Sequence, residues 1–269
     1  MTTRAMHPVL PPGLRRACQR ATGPKRGRRI VLHLGPHKTA STFIQRMAEF
    51  NLPRLPLSCE VIAREAAELQ ALRRITMKLR SEDAARAAHA ELTEAAAVLG
   101  VRGRYARATL ISHEDLLGPM PSRAGIMGLY PFAHLTLPAM LEGLQTEGAE
   151  VQVALYRRPI HDWLTSVQRY RNRHRPDAPW LDVRDFAARH AIPYYWQGFY
   201  KRLETVLPQG ALHVLEFRAE RDAGLVGAGL YRLMGMDARR IARLVHIPPQ
   251  NVTRPETARP AGDPAQPQQ

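Results

Sequence analysis

The 269-residue chain is 45% hydrophobic and carries 39 Lys and Arg against 24 Asp and Glu, a formal net charge of +15. That apolar content is ample for one globular core, and the charge suits an anionic ligand, a nucleic acid or a membrane surface without choosing among them. Two cysteines, Cys18 and Cys59, are too few for a disulfide framework or a zinc cluster and point to a reducing compartment. With no apolar run long enough to span a bilayer and no secretion signal near the start, a soluble cytoplasmic protein is expected.

Residues 1–27 hold five arginines among prolines and glycines and are expected to form a disordered basic leader. Residues 30–34, IVLHL, predict a strand buried on both faces, with His33 as a satisfied core histidine. The turn Gly35-Pro36-His37-Lys38 follows, and Thr39, Ser41 and Thr42 are placed to cap a helix whose Phe43, Ile44 and Met47 share a face. Beyond Pro53 and Pro56, two Ala/Glu/Arg-rich helices are predicted at 61–80 and 82–99, stopped at Gly100. They read as a helical hairpin inserted over 61–100, packed on the edge or mouth of the sheet.

Residues 108–112, ATLIS, predict a second buried strand from whose C-terminal end His113, Glu114 and Asp115 emerge. An irregular segment at 118–135 and a helix at 138–147 come next. The strand 151–156 runs directly into Arg157-Arg158-Pro159 and a helix at 162–173, followed by a basic loop of Arg171, Arg173, His174 and Arg175. Helices at 182–190 and 194–206 are predicted, with Tyr195, Phe199, Leu203 and Val206 of the second forming a core stripe. A last strand at 212–217 and helices at 225–234 and 237–245 precede a Pro/Gln/Ala tail, 254–269, read as disordered. This alternation argues for an α/β domain over 28–253: a three-layer P-loop-type fold with a central, mainly parallel sheet flanked by helices.

The strand–loop–helix at 28–51 carries the clearest chemistry. Such a loop aims backbone N–H groups and the positive end of a helix dipole at one point, where an oxyanion binds. Laid on G-x-x-x-x-G-K-[ST], Gly35 and Thr42 match, but Ala40 replaces the second glycine and Ser41 the lysine; the loop's lysine is Lys38.

HLGPHKTASTFIQ resembles the 5′-phosphosulfate loop of sulfotransferases that use 3′-phosphoadenosine 5′-phosphosulfate, in the bacterial branch whose loop reads about H-x-G-x-x-K-T-G-[ST]-T-x-[IL]-Q. Ala40 stands where that branch usually has Gly, and its methyl calls for a negative φ. The second motif is similar to the family's strand-ending arginine with a serine eight positions later, which share the 3′-phosphate. Arg158 and Ser166 have that spacing, as do Arg157 and Thr165; Arg158 with Ser166 is the favoured pair, Arg157 a second phosphate contact. Asn251-Val252-Thr253 resembles the family's late N-x-[ST].

The resemblance implies a metal-free transfer from this cosubstrate to a hydroxyl or amine, on a carbohydrate, a glycolipid or a small molecule. It implies Gly35, His37, Lys38, Thr39, Ala40, Ser41 and Thr42 around the phosphosulfate, Lys38 stabilising the departing phosphate, and Glu114 or His113 as general base. A P-loop kinase, disfavoured by the missing lysine, and a non-catalytic polyanion-binding module, disfavoured by arginines without interleaved aromatics, are the alternatives.

Overall fold

In the computed structural model, residues 27–123, 125–145 and 148–246 are described; the expected leader, the tail and Asn251-Val252-Thr253 lie outside them, Gly27 apart. Five strands, β1 (Arg29–His33), β2 (Cys59–Ile62), β3 (Ala108–Ser112), β4 (Glu150–Arg157) and β5 (Leu212–Glu216), form one sheet in the order β2-β3-β1-β4-β5. All four pairings are parallel. Every strand therefore ends at the same edge. From β1 the chain moves outward to one side and from β4 to the other, which opens the crevice where parallel sheets bind ligands.

The helices are α1 (Ser41–Asn51), α2 (Ala67–Thr76), α3 (Glu82–Ala87), α4 (His89–Arg102), α5 (Ala133–Leu144), α6 (Ile160–His174), α7 (Val183–Arg189), α8 (Gln197–Glu204), α9 (Phe217–Asp222), α10 (Ala228–Leu233) and α11 (Ala238–Ala242). Side chains alternate across the strands, so each strand feeds two cores. On one face Ile30, Leu32, Ile111, Val153 and Leu155 pack with Leu92, Leu99, Leu137, Met140, Trp163 and Phe186. On the other, Val31, Leu110, Ala154 and Tyr156 pack with Ile44, Ala48, Leu230 and Ile241. Each aliphatic side chain so buried contributes about 1.5–3 kcal/mol. The result is the expected three-layer, P-loop-type α/β fold. Among the described residues no helix is long and apolar enough to cross a membrane.

Several boundaries differ from expectation. The helix expected from Val61 starts only at Ala67, because residues 59–62 pair in register with β3 as an edge strand. Helix α5 begins five residues before Pro138, since burial of Ala133, Thr136 and Leu137 outweighs the lost N–H. Of the stripe predicted over 194–206, Phe199 and Leu203 lie on α8 and are core, but Tyr195 and Val206 fall outside the helix and are 56% and 38% exposed. The expected basic loop begins within α6, which runs on to His174. At the far end Asn51, fully buried, donates to Met47 O at 3.0 Å and Val245 O at 2.9 Å and accepts from Val245 N at 2.9 Å, fastening the last described residues to α1.

Helices α4 and α5 touch backbone to backbone at Gly143, where an added Cβ would lie 2.1 Å from Thr93 O and 2.9 Å from Ala97 N. Backbone cannot give way as a side-chain tip does. Gly143→Ala is therefore expected to lower the unfolding free energy by roughly 1–3 kcal/mol, read as a reduced midpoint in urea denaturation.

Candidate active site

The loop from Gly35 to Ala40 crosses the carboxyl edge of β1, and its shape follows from close approaches. A Cβ at Gly35 would fall 1.8 Å from Ser41 Oγ and 3.2 Å from Thr39 Oγ1, so only glycine fits beneath those hydroxyls. Lys38 (φ 71°) and Ala40 (φ 65°) both adopt the left-handed conformation, correcting the negative φ expected at Ala40. Thr39, fully buried, turns its hydroxyl back to Pro36 O at 2.6 Å instead of capping the helix. The residue that does occupy the N-cap position is Ala40, which has no side-chain oxygen to offer. Helix α1 thus starts uncapped, with first-turn N–H groups available to an anion. Ser41 Oγ is buried there without a hydrogen-bond partner, and Thr42 is exposed on the first turn.

Strand β4 and helix α6 hold the loop from one side. Trp163 Nε1 donates to His37 O at 2.6 Å, and Arg158 Nη1 donates to Lys38 O at 2.9 Å. Trp196 Nε1 in turn donates to Arg158 O at 2.8 Å. Further along α6, the Lys38 ammonium lies 3.8 Å from the centroid of the Tyr170 ring, a cation–π contact. Trp163, Ser166 and Tyr170 recur at helical spacing, which brings half-buried Ser166 to the loop-facing side between the two aromatics. Burial and the Arg173 guanidinium draw the Lys38 ammonium below the ordinary lysine range, opposed by Glu114. Arg158 points at the loop, whereas Arg157 forms an ion pair with Glu216, its register partner on β5.

A buried relay holds the other side. His37 N donates to Tyr130 Oη at 2.7 Å, Tyr130 Oη lies 3.0 Å from His37 Nδ1, and His37 Nε2 lies 2.9 Å from Asp115 Oδ1. Arg73 Nε donates to Asp115 Oδ2 at 2.5 Å. The only arrangement that gives every group a partner runs one way: backbone N–H to Tyr130, Tyr130 O–H to Nδ1, Nε2–H to Asp115. Burial alone raises the Asp115 carboxyl, but the hydrogen bonds from His37 and Arg73 outweigh it and hold it well below the usual carboxylate range.

At the end of β3, Glu114 accepts from Gln45 Nε2 at 3.0 Å and faces Arg64 Nη1 at 3.7 Å. His113, fully buried, accepts at Nδ1 from Asp115 N at 3.2 Å, so in the neutral ring the hydrogen sits on Nε2, which has no partner. Burial lowers the His113 pKa, against the pull of Glu114 and Asp115. His33 is core, as expected, but only half satisfied: Nδ1 lies 2.7 Å from Ser112 Oγ, Nε2 lacks a partner, and burial pulls its pKa down to about 4.

The structure therefore gathers Gly35, His37, Lys38, Thr39, Ala40, Ser41, Thr42, Arg158, His113 and Glu114 at one sheet edge, with Arg157 turned toward β5. Gln45, the last residue of the loop motif, joins them, as do Tyr130, Trp163, Tyr170, Arg64 and Arg73, which had not been singled out in the sequence. Trp163 and Tyr170 carried a signal, their shared helix face; Tyr130 sits in an irregular segment and carried none.

Two consequences are measurable. Ala40→Gly removes a left-handed alanine and is expected to stabilise the protein by about 1 kcal/mol; an unchanged or lower urea midpoint counts against the left-handed loop. Asp115→Asn is expected to cost about 2–3 kcal/mol at neutral pH by leaving Arg73 without its charged partner. Because the folded carboxyl pKa is depressed, that stabilisation is complete above the unfolded value near ~3.9 and is lost as pH falls toward the folded one. The gap between wild type and variant in denaturation should accordingly narrow below about pH 4.

Neither a protein-family profile nor a curated protein matches this sequence. Among solved structures the chain is similar to the crystal structure of a sulfotransferase from Alicyclobacillus acidocaldarius, with 16% identity over 78% of this chain and 82% of that one and a TM-score of 0.41.

Proposed function

We propose that the protein is a sulfotransferase that takes the sulfuryl group of 3′-phosphoadenosine 5′-phosphosulfate and passes it to a hydroxyl or amine. The observation that carries this reading is the uncapped start of α1 with the unpartnered Ser41 hydroxyl beside it, at the end of a loop that contains Lys38 and is held by Arg158. Free N–H groups, a hydroxyl and a loop lysine are the donor set for a phosphosulfate. Gly35, His37, Thr39, Ala40, Ser41 and Thr42 shape its pocket. Arg158, fixed through Lys38 O, presents its remaining N–H groups to the 3′-phosphate together with the Ser166 hydroxyl. Arg157, already paired with Glu216, contributes positive potential more than a direct contact.

The donor supplies the S–O bond that breaks. Lys38 meets the negative charge left on the bridging oxygen, where an ammonium lowers the barrier most. Glu114, held between Gln45 and Arg64, takes the proton of the attacking hydroxyl. His113, with Nδ1 occupied by a backbone N–H, serves as an Nε2–H donor toward a sulfuryl oxygen instead of as the base.

Calorimetric titration with 3′-phosphoadenosine 5′-phosphate, with EDTA present, should give micromolar binding that Arg158→Ala abolishes. Lys38→Ala should retain that binding yet slow transfer by roughly 100-fold or more. Tighter binding of ATP than of this ligand would turn the assignment toward a kinase.

A further inference from the structure

Resting on this reading, the acceptor's binding surface lies along the C-terminal half of α6. Tyr170, which carries Lys38 on its ring at 3.8 Å, is followed one turn later by Arg173 and His174, the latter with Nδ1 2.9 Å from Tyr170 O. This stripe leads from the reactive lysine out to solvent. Arg173 and Arg175 are exposed, and no ion pair to either is found among the described residues. Residues 170–176 include Arg171, Arg173, His174 and Arg175 and no Asp or Glu.

Three other arginines around the site are ion-paired, Arg64 with Glu114, Arg73 with Asp115 and Arg157 with Glu216, and Arg158 is directed at the loop. Arg173 and Arg175 add exposed positive charge on the approach to Lys38. It also lies at the negative end of the α6 dipole, which favours cations there.

A second feature lies alongside. The segment after α6 folds back along the helix, with Asn172 Nδ2 donating to Ala178 O at 3.1 Å and Gln168 Nε2 to Leu181 O at 2.9 Å. Between those two anchors stands Trp180, 56% exposed. The turn that carries Trp180 starts at Arg175, whose O accepts from Ala178 N at 3.0 Å, and a large apolar face left in water on the same segment as exposed arginines suits a ligand with both a flat apolar face and acidic groups. Sugar rings have such a face, and uronic acids add carboxylates in the geometry that guanidinium matches.

We infer that the acceptor is an acidic saccharide, whose ring stacks on Trp180 and whose carboxylates are held by Arg173 and Arg175 while a hydroxyl reaches the site beside Lys38. Transfer then forms a new S–O bond to that hydroxyl, breaks the bond to the donor's phosphate, and leaves the hydroxyl proton on Glu114.

The test uses the full chain, a uronic-acid tetrasaccharide and its carboxyl-reduced counterpart. Both are titrated with and without 3′-phosphoadenosine 5′-phosphate and offered as acceptors of labelled sulfate. The acidic form should bind and react with roughly tenfold preference, weakening as salt rises. In the double variant Arg173→Glu/Arg175→Glu that preference should vanish while the melting temperature holds, and Trp180→Ala should weaken both saccharides. Equal binding of the two by the wild type, or a preference that survives charge reversal, overturns the inference and leaves sulfuryl transfer standing. Tighter binding of a DNA duplex of equal charge overturns it too, since the face is then a general polyanion surface. Binding of the acidic saccharide by a protein that ignores the nucleotide upholds the surface and sinks the transfer reading instead.

Discussion

The site depends on two adjacent peptide carbonyls, those of His37 and Lys38, being tied to Trp163 and Arg158. A loop rich in backbone donors attracts an anion only if its acceptors are directed elsewhere, because each peptide carries both ends of a dipole. Here the acceptors are occupied by an indole and a guanidinium that arrive from β4 and α6, strands and helices away in sequence. The same two donors are themselves anchored, Trp163 by complete burial and Arg158 through the Trp196 contact to its own carbonyl. The loop is thus positioned by the far half of the chain, and its charge pattern cannot form before β4 has docked beside β1.

Rigidity of this kind is obtained against local preference. Lys38 and Ala40 sit in the left-handed region, each at a cost of about 1–2 kcal/mol for a residue with a Cβ. Tyr130, which closes the relay on His37, also has positive φ, at 48°. Three such residues around one loop are maintained because the packing over-determines them: the buried relay to Asp115 and Arg73 on one side, the aromatic face of α6 on the other. The strain is concentrated where an uncapped helix meets unpartnered hydroxyl and imidazole groups, a combination that preorganises donors at the candidate site.

Much of this frame could be read from the residues. Strand β3 runs over the predicted 108–112, and β1, β4 and β5 fall within a residue of expectation: β1, β3 and β4 carry apolar runs that are distinctive where a strand is buried on both faces, and β5, a half-buried edge strand, still shows the apolar Leu212, Val214 and Leu215. Strand β2 was not legible: CEVI is four residues long and mostly half-buried, too short and too mixed to stand out ahead of a strong helical pattern. The loop motif was legible because Gly35, Lys38 and Ser41 are neighbours in the chain. The relay was not, since Tyr130, Asp115 and Arg73 meet His37 only through the sheet order. Thr39 misled for a similar reason: its hydroxyl could serve the helix or the preceding turn, and burial under the loop decided for Pro36 O.

The placement of Lys38 links the two ends of the crevice. Its backbone belongs to the anion loop, its carbonyl to Arg158, and its ammonium to Tyr170, close enough to Glu114 and Arg173 for both to influence its protonation. The Tyr170 ring offers a cation a shallow well of about 0.5–2 kcal/mol, much weaker than an oxyanion would. An ammonium held there is kept near the loop and partly desolvated without being neutralised. It remains free to exchange the ring for developing negative charge, which a salt bridge to Asp or Glu at the same place would have prevented. The acidic groups nearest the site are instead given to arginines, Asp115 to Arg73 and Glu114 to Arg64. The one lysine of the loop is thereby left without a carboxylate within ion-pair distance among the described residues.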